Sequence, residues 1–150
     1  MLATLLLAVG AAQGLQPLPA LAAFDFGETN KAIVASKRFV LSSGSMPHLT
    51  GIVTFKTGGE FQAWLTFSED GKLARYMFLG GSLNKGVGDC SWLTRKAYLE
   101  FGTPLRVEEP SFKGGTRVAF WQQRERSISY QLMEDDGREG KSCRFIAEQL

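Results

Sequence analysis

The sequence has few of the side chains from which catalytic and metal sites are usually built. His48 is its only histidine, and Cys90 and Cys143 are its only cysteines. No second Cys or His lies at zinc-ligand spacing from either cysteine, and neither a Gly-x-Ser-x-Gly elbow nor the Gly-Lys-Ser/Thr end of a phosphate loop is present. His48 could serve a hydrolase as a general base, but a lone loop histidine is more often an ordinary surface residue. We therefore expect no metal and no cofactor, and favour a protein that is not an enzyme.

The sequence also lacks a strong charge imbalance and a long hydrophobic run. Lys and Arg number 17 against 15 Asp and Glu, a net charge of +2, which is too small to indicate nucleic-acid binding. The apolar run from Leu2 to Ala12 is shorter than the roughly 20 residues that cross a bilayer. It has the length of the apolar region of a secretory signal peptide.

The first 24 residues contain no charged side chain, and Ala20-Leu21-Ala22 has the small-x-small pattern of a cleavage site. We expect residues 1–22 to be a signal peptide and residues 23–150 to form a single α+β domain. The protein would then be periplasmic or secreted, with no stable membrane anchor after cleavage. Because the start has no Lys or Arg, an uncleaved anchor or a buried N-terminal helix remains an alternative.

The even cysteine count of an exported chain predicts a Cys90–Cys143 disulfide, with two free thiols as the alternative. Closing a loop of this length stabilises a fold by roughly 4 kcal/mol in the chain-entropy model.

Alternating apolar residues and Gly-containing turns predict α+β structure with a mainly antiparallel sheet of six or more strands in two meanders. One helix is expected at about 91–101, capped by Asp89 or Ser91 and ended by Gly102 in the left-handed conformation. A second, short helix could start within 28–34. A strand is expected at 37–41, a loop at 42–47 and a turn at 135–137. The remaining strands are predicted at 51–56, 60–67, 72–79, 105–109, 117–122, 127–133 and 141–147.

Residues 24–81 and 89–150 have a similar order of elements and form two possible pseudo-repeated units. The helix end Lys96–Pro104 and the hairpin Gly114–Trp121 together resemble a pattern in small exported bacterial α+β domains, many without an assigned function. The arrangement is also similar to the tandem helix-plus-meander units of the β-lactamase-inhibitor-protein type. That resemblance implies a concave sheet face that grips a partner protein. It is topological, so no binding residue is carried over.

Several aromatic residues alternate out of phase with the apolar face that we expect to be buried. Exposed together, they would form a binding surface rimmed by arginines; alternatively, helices cover them and they belong to the core. The candidate surface comprises Trp64, Tyr76, Phe78, Trp121, Arg124 and Arg126. On this basis we expect an exported binding module that recognises another exported or envelope protein. A small-ligand or lipid carrier, with a cavity between sheet and helix, and a hydrolase using His48 are the alternatives.

Overall fold

The structure, a computed structural model, describes residues 15–81, 88–137 and 140–150. The described elements are α1 (Asn30–Ala35), β1 (Val40–Ser45), β2 (His48–Phe55), β3 (Gly59–Phe67), β4 (Leu73–Gly81), α2 (Cys90–Phe101), β5 (Arg106–Glu108), β6 (Thr116–Gln123), β7 (Ile128–Gly137) and β8 (Gly140–Gln149). A short 3₁₀ turn, Arg124–Arg126, joins β6 to β7. In this part of the chain, no helix is long and apolar enough to cross a membrane.

The eight strands form one antiparallel sheet in the order β1-β2-β3-β4-β8-β7-β6-β5. Two four-stranded meanders meet where β4 pairs with β8. A helix precedes each meander in the chain, α1 before β1 and α2 before β5. The predicted α+β class, with a mainly antiparallel sheet and one main helix, is therefore confirmed.

The main helix forms where the sequence predicts it. Of the two expected caps, Asp89 is the residue that accepts a hydrogen bond, at 2.9 Å, from the amide of Ser91. Leu93 and Ala97 are fully buried against the sheet. Gly102 ends the helix with a positive φ of 75°, but its ψ of −150° lies outside the predicted left-handed helical region.

Two local predictions differ from the structure. The predicted loop at 42–47 is largely strand, because β1 continues to Ser45 and pairs with β2 through a tight turn at Met46-Pro47. The predicted turn at 135–137 is also strand, since β7 continues to Gly137 opposite Gly140. In both places, hydrogen bonding to a neighbouring strand outweighs the local preference of Ser, Asp and Gly for turns.

The core lies on the sheet face that α2 covers. Phe145 of β8 stacks on Phe101 of the helix, with 5.7 Å between ring centroids, and Phe101 stacks on Tyr130 at 4.3 Å. The predicted disulfide joins Cys90 at the start of α2 to Cys143 of β8, with 5.7 Å between the Cα atoms. It ties the helix to the centre of the sheet.

The N-terminal segment 15–29 covers the same face over the first meander. Leu18 and Leu21 are at most 1% exposed, and Phe24 is 4% exposed. The ring of Phe24 contacts Tyr76 edge-on, with centroids 5.3 Å apart. Part of the core is therefore built from residues on both sides of the predicted cleavage bond.

Candidate binding surface

The sheet face opposite α2 carries the half-buried and exposed side chains that alternate with the buried ones along β2, β3 and β4, and we call it the open face. Strand pairing places side chains there in lateral rows, because directly opposed residues of antiparallel strands point to the same side. The first row runs Thr50, Trp64, Met77, Ile146, Gln131, Phe120, Arg106, and the second runs Ile52, Gln62, Leu79, Arg144, Met133, Val118, Glu108.

Trp64 is the most exposed apolar side chain on the inner strands, at 45%, and Val40 of the edge strand β1, opposite Ile52, is 49% exposed. The neighbour of Trp64 across the strand pair is Met77, which in turn lies opposite Ile146. Ile146 is only 5% exposed although α2 lies on the other side of the sheet, so its neighbours on the open face shield it from water. The centre of this face is therefore apolar.

Two arginines lie on the open face without an ion pair to any described acidic residue. Arg144 stands between Leu79 and Met133 in the second row. Arg75 lies opposite Glu148 without a salt bridge, and its buried Nε has no hydrogen-bond partner in the part of the chain described. Arg106, at the edge, lies over the ring of Phe120 at 4.3 Å and pairs with Glu108. Arginine beside exposed aromatic and methionine side chains is the composition of protein interfaces.

The structure does not assemble the predicted aromatic surface as a whole. Trp64 is exposed as predicted, but Tyr76, Phe78 and Trp121 are at most 5% exposed and lie in the core beneath the helix and the N-terminal segment. Arg124 and Arg126 are exposed at the 3₁₀ turn, at one end of the sheet, where Arg126 pairs with Asp25 at 3.6 Å.

A bulge in β4 explains why Tyr76 and Phe78 lie on the core face and not on the predicted binding surface. Thr66 pairs with Arg75, whereas the next residue, Phe67, pairs with Leu73. One extra residue in β4 brings both Leu73 and Tyr76 to the core face, so the alternation seen after Leu73 is inverted. Met77 and Leu79 consequently lie on the open face.

In β6 the side chains alternate as predicted, but the side that was expected to be exposed faces the helix, and the side that was expected to be buried is on the open face. Trp121 faces the helix, where its indole Nε1 donates a 3.0 Å hydrogen bond to the carbonyl of Gly102. The small, fully buried Ala119 shares that side, while Val118 and Phe120 face the open side. The disulfide is the feature of the sequence from which the buried side could have been predicted. Cys143 must face the helix to reach Cys90, so the alternate residues Phe145 and Ala147 of β8 face the helix too.

A second feature is a polar cluster that lies alongside α2. The guanidinium of Arg117 donates to Glu109 at 3.0 Å, to Glu134 at 3.2 Å and to the Tyr98 hydroxyl at 3.2 Å. The bond to Tyr98, followed by the one to Glu109, holds the pKa of Arg117 above its ordinary value. Cys90, Arg117 and Glu134 line a cavity of about 230 Å³. Because Arg117 already has carboxylate partners, we interpret the cluster as a structural link between α2 and β6.

His48 lies at the start of β2, exposed, with Nδ1 3.3 Å from the hydroxyl of Thr66. Among the described residues, no carboxylate bonds to this ring, so the arrangement of a catalytic triad is not formed. No group of three or more His, Cys, Asp or Glu side chains in the described ranges is placed to hold a metal ion.

No protein-family model matches this chain, and no curated protein matches it. Among solved structures, it is similar to a DUF4309 family protein (YjgB) from Bacillus subtilis. The two share 13% sequence identity with a TM-score of 0.47, over 95% of this chain and 92% of the other. A likeness at this level carries no information about function.

Proposed function

We propose that this protein is an exported, non-enzymatic binding module that holds a folded partner protein of the cell envelope on its open face. The observation that carries the proposal is Trp64, 45% exposed on the open face next to the apolar side chains of Met77 and Ile146. Exposed apolar surface of this kind marks interaction sites in stable proteins.

The dimensions of the face favour a protein over a small molecule. Eight strands at their usual spacing span about 34 Å, and the two rows above, together with the next row through Thr66, Arg75 and Glu148, occupy about 20 Å in the other direction. That area is close to the roughly 800 Å² that each partner contributes to a standard protein interface.

The charges favour a partner that presents carboxylates among apolar residues. The inner strands carry Glu60, Asp135 and Glu148 on this face, but none of them forms a salt bridge with Arg144 or Arg75. An incoming Asp or Glu opposite Arg144 would form a partly desolvated, charge-assisted hydrogen bond.

Two further features support the proposal. The repetition of a helix followed by four strands supports two pseudo-repeated units and the comparison with the β-lactamase-inhibitor-protein type, in which a sheet face grips a partner. The Cys90–Cys143 disulfide supports export, because disulfides persist mainly in oxidising compartments. The carrier alternative has less support, since stacked Phe101, Phe145 and Tyr130 fill the space between sheet and helix.

The test compares capture from envelope extract by the wild type and by Trp64→Ala and Arg144→Glu variants. Leu99→Ala is the matched control, because Leu99 is 79% exposed on the outer side of α2. We expect one protein to be retained by the wild type and the control and lost by both open-face variants. With that protein purified, each open-face change should weaken binding at least about 30-fold.

Three results would overturn the proposal. One is equal capture by all variants, or no capture at all. Another is a concentration-dependent dimer that Trp64→Ala dissociates, because a second copy would then occupy the face. The third is a small molecule or lipid that native mass spectrometry finds bound to protein purified from its own host.

A further inference from the structure

The predicted cleavage between Ala22 and Ala23 would divide a segment that is integrated into the fold. Leu18 donates its amide to the carbonyl of Thr54 at 2.6 Å and accepts from the amide of Lys56 at 3.3 Å. These bonds place it parallel to the end of β2, opposite Phe55. Leu18 therefore extends the hydrogen bonding of β2.

The next residues of the segment are held by α2 and β4. The carboxylate of Glu100 accepts from the amides of Leu21 at 2.7 Å and of Ala22 at 2.8 Å. The carbonyl of Leu21 accepts from the hydroxyl of Tyr76 at 2.9 Å. Loss of residues up to Ala22 would leave Tyr76, 1% exposed, without its acceptor and Glu100 without both amide donors. Buried polar groups are seldom left unpaired in this way.

The buried side chains of the segment also argue against cleavage after Ala22. Leu21 is fully buried and Leu18 is 1% exposed, so their removal would leave a cavity in the core. The earliest described contact is the amide of Gln16 on the carbonyl of Lys37, at 2.8 Å. A processing site compatible with these contacts must lie before Gln16.

The sequence offers such a site. Ala12-Gln13-Gly14 has small residues at the two positions that a signal-peptide processing enzyme selects, and it begins at Ala12, the last residue of the apolar run. We propose that the processed bond is Gly14–Leu15 and that residues 15–24 remain as a permanent part of the folded domain. The proposal rests on the export component of the proposed function.

The step is hydrolysis of an amide by an envelope endopeptidase with small side-chain pockets. Water supplies the oxygen that bonds to the carbonyl carbon of Gly14, and the C–N bond to Leu15 breaks. The products are a carboxylate on Gly14 and a free α-amino group on Leu15.

The experiment expresses the full chain in a bacterial host and determines the N-terminus and intact mass of the protein in the envelope fraction. An N-terminus at Leu15 is expected. An N-terminus at Ala23, or at any other residue, would overturn the inference while leaving export intact. Unprocessed chain retained in the cytoplasm would contradict export itself, and with it this inference.

Two variants test the choice of bond. Gly14→Leu places a bulky residue before the proposed bond and should stop processing. Ala22→Leu is the matched control, because Ala22 is exposed and directly precedes the alternative bond. Processing of the Ala22→Leu variant should be unchanged. If Ala22→Leu stopped processing and Gly14→Leu did not, the proposal would be overturned.

A stability measurement on the processed protein tests whether the segment is retained. Leu21→Ala should lower Tm by about 8 °C or more, because it opens a cavity in the core, whereas Leu99→Ala should change Tm by less than about 2 °C. If cleavage removed the segment, Leu21→Ala would have no effect on the processed protein. An unchanged Tm would therefore overturn the inference.

Discussion

The hydroxyl of Tyr76 donates a 2.9 Å hydrogen bond to the backbone carbonyl of Leu21, which lies 55 residues earlier in the chain. This bond joins the N-terminal segment to β4 at a site that is closed to solvent, since Tyr76 is 1% exposed. It therefore links the titration of one phenol to the folding of the whole domain.

Tyr76 predicts a loss of stability in alkaline solution. Burial, followed by the effect of Tyr130, raises the pKa of Tyr76 above its ordinary value of 10.0. Above pH 10 the unfolded chain loses this proton while the folded chain keeps it, so the free energy of unfolding falls as pH rises. A Tyr76→Phe variant should lose stability less steeply between pH 10 and 12, by up to about 1.4 kcal/mol per pH unit. Urea unfolding at each pH measures the difference; identical slopes would contradict the assignment.

Glu100 should be more important for stability than its position on the second helix suggests. Its carboxylate accepts from the amides of Leu21 and Ala22 and pairs with Lys96 at 3.9 Å. Glu100→Ala should destabilise the domain by about 1–3 kcal/mol, because it leaves amides without an acceptor. Lys96→Ala, the control, removes only the more weakly held ion-pair partner and should cost less than about 1 kcal/mol. If Glu100→Ala and Lys96→Ala lowered the free energy of unfolding equally, the amide contacts of Glu100 would contribute nothing to stability.

The Cys90–Cys143 disulfide should make the domain sensitive to reducing agents. It closes a separation of 53 residues, for which the chain-entropy model gives about 4 kcal/mol. A Cys90→Ala/Cys143→Ala double variant should lose about this amount in urea unfolding. Dithiothreitol should lower the stability of the wild type and leave the double variant unchanged. If the double variant were as stable as the oxidised wild type in urea unfolding, the prediction would be contradicted.

Tryptophan fluorescence separates the two faces of the sheet. Trp64 is 45% exposed on the open face, whereas Trp121 is 5% exposed and Trp92 packs on Phe55, with ring centroids 5.0 Å apart. Trp64→Phe should remove most of the emission that acrylamide quenches, whereas Trp121→Phe should leave the quenching slope unchanged or higher. Strong quenching that persists in the Trp64→Phe variant would place a second tryptophan in solvent.

The sequence by itself determined the local elements and the class of the fold. Period-two alternation and Gly-containing turns predicted most strands, and Asp89 and Gly102 bounded the main helix. These signals are local, because they depend on which residues can cap a helix, form a turn or alternate along a strand.

Only the tertiary structure decided which side of each strand faces the helix and where the fold begins. Both faces of this sheet are rich in apolar residues, so alternation alone cannot distinguish them, and a single-residue bulge before Tyr76 reverses the assignment. Leu18 and Leu21 resemble the end of a signal peptide in composition, yet they are buried in the core. Composition cannot separate these possibilities, because burial depends on contacts with residues far away in the chain.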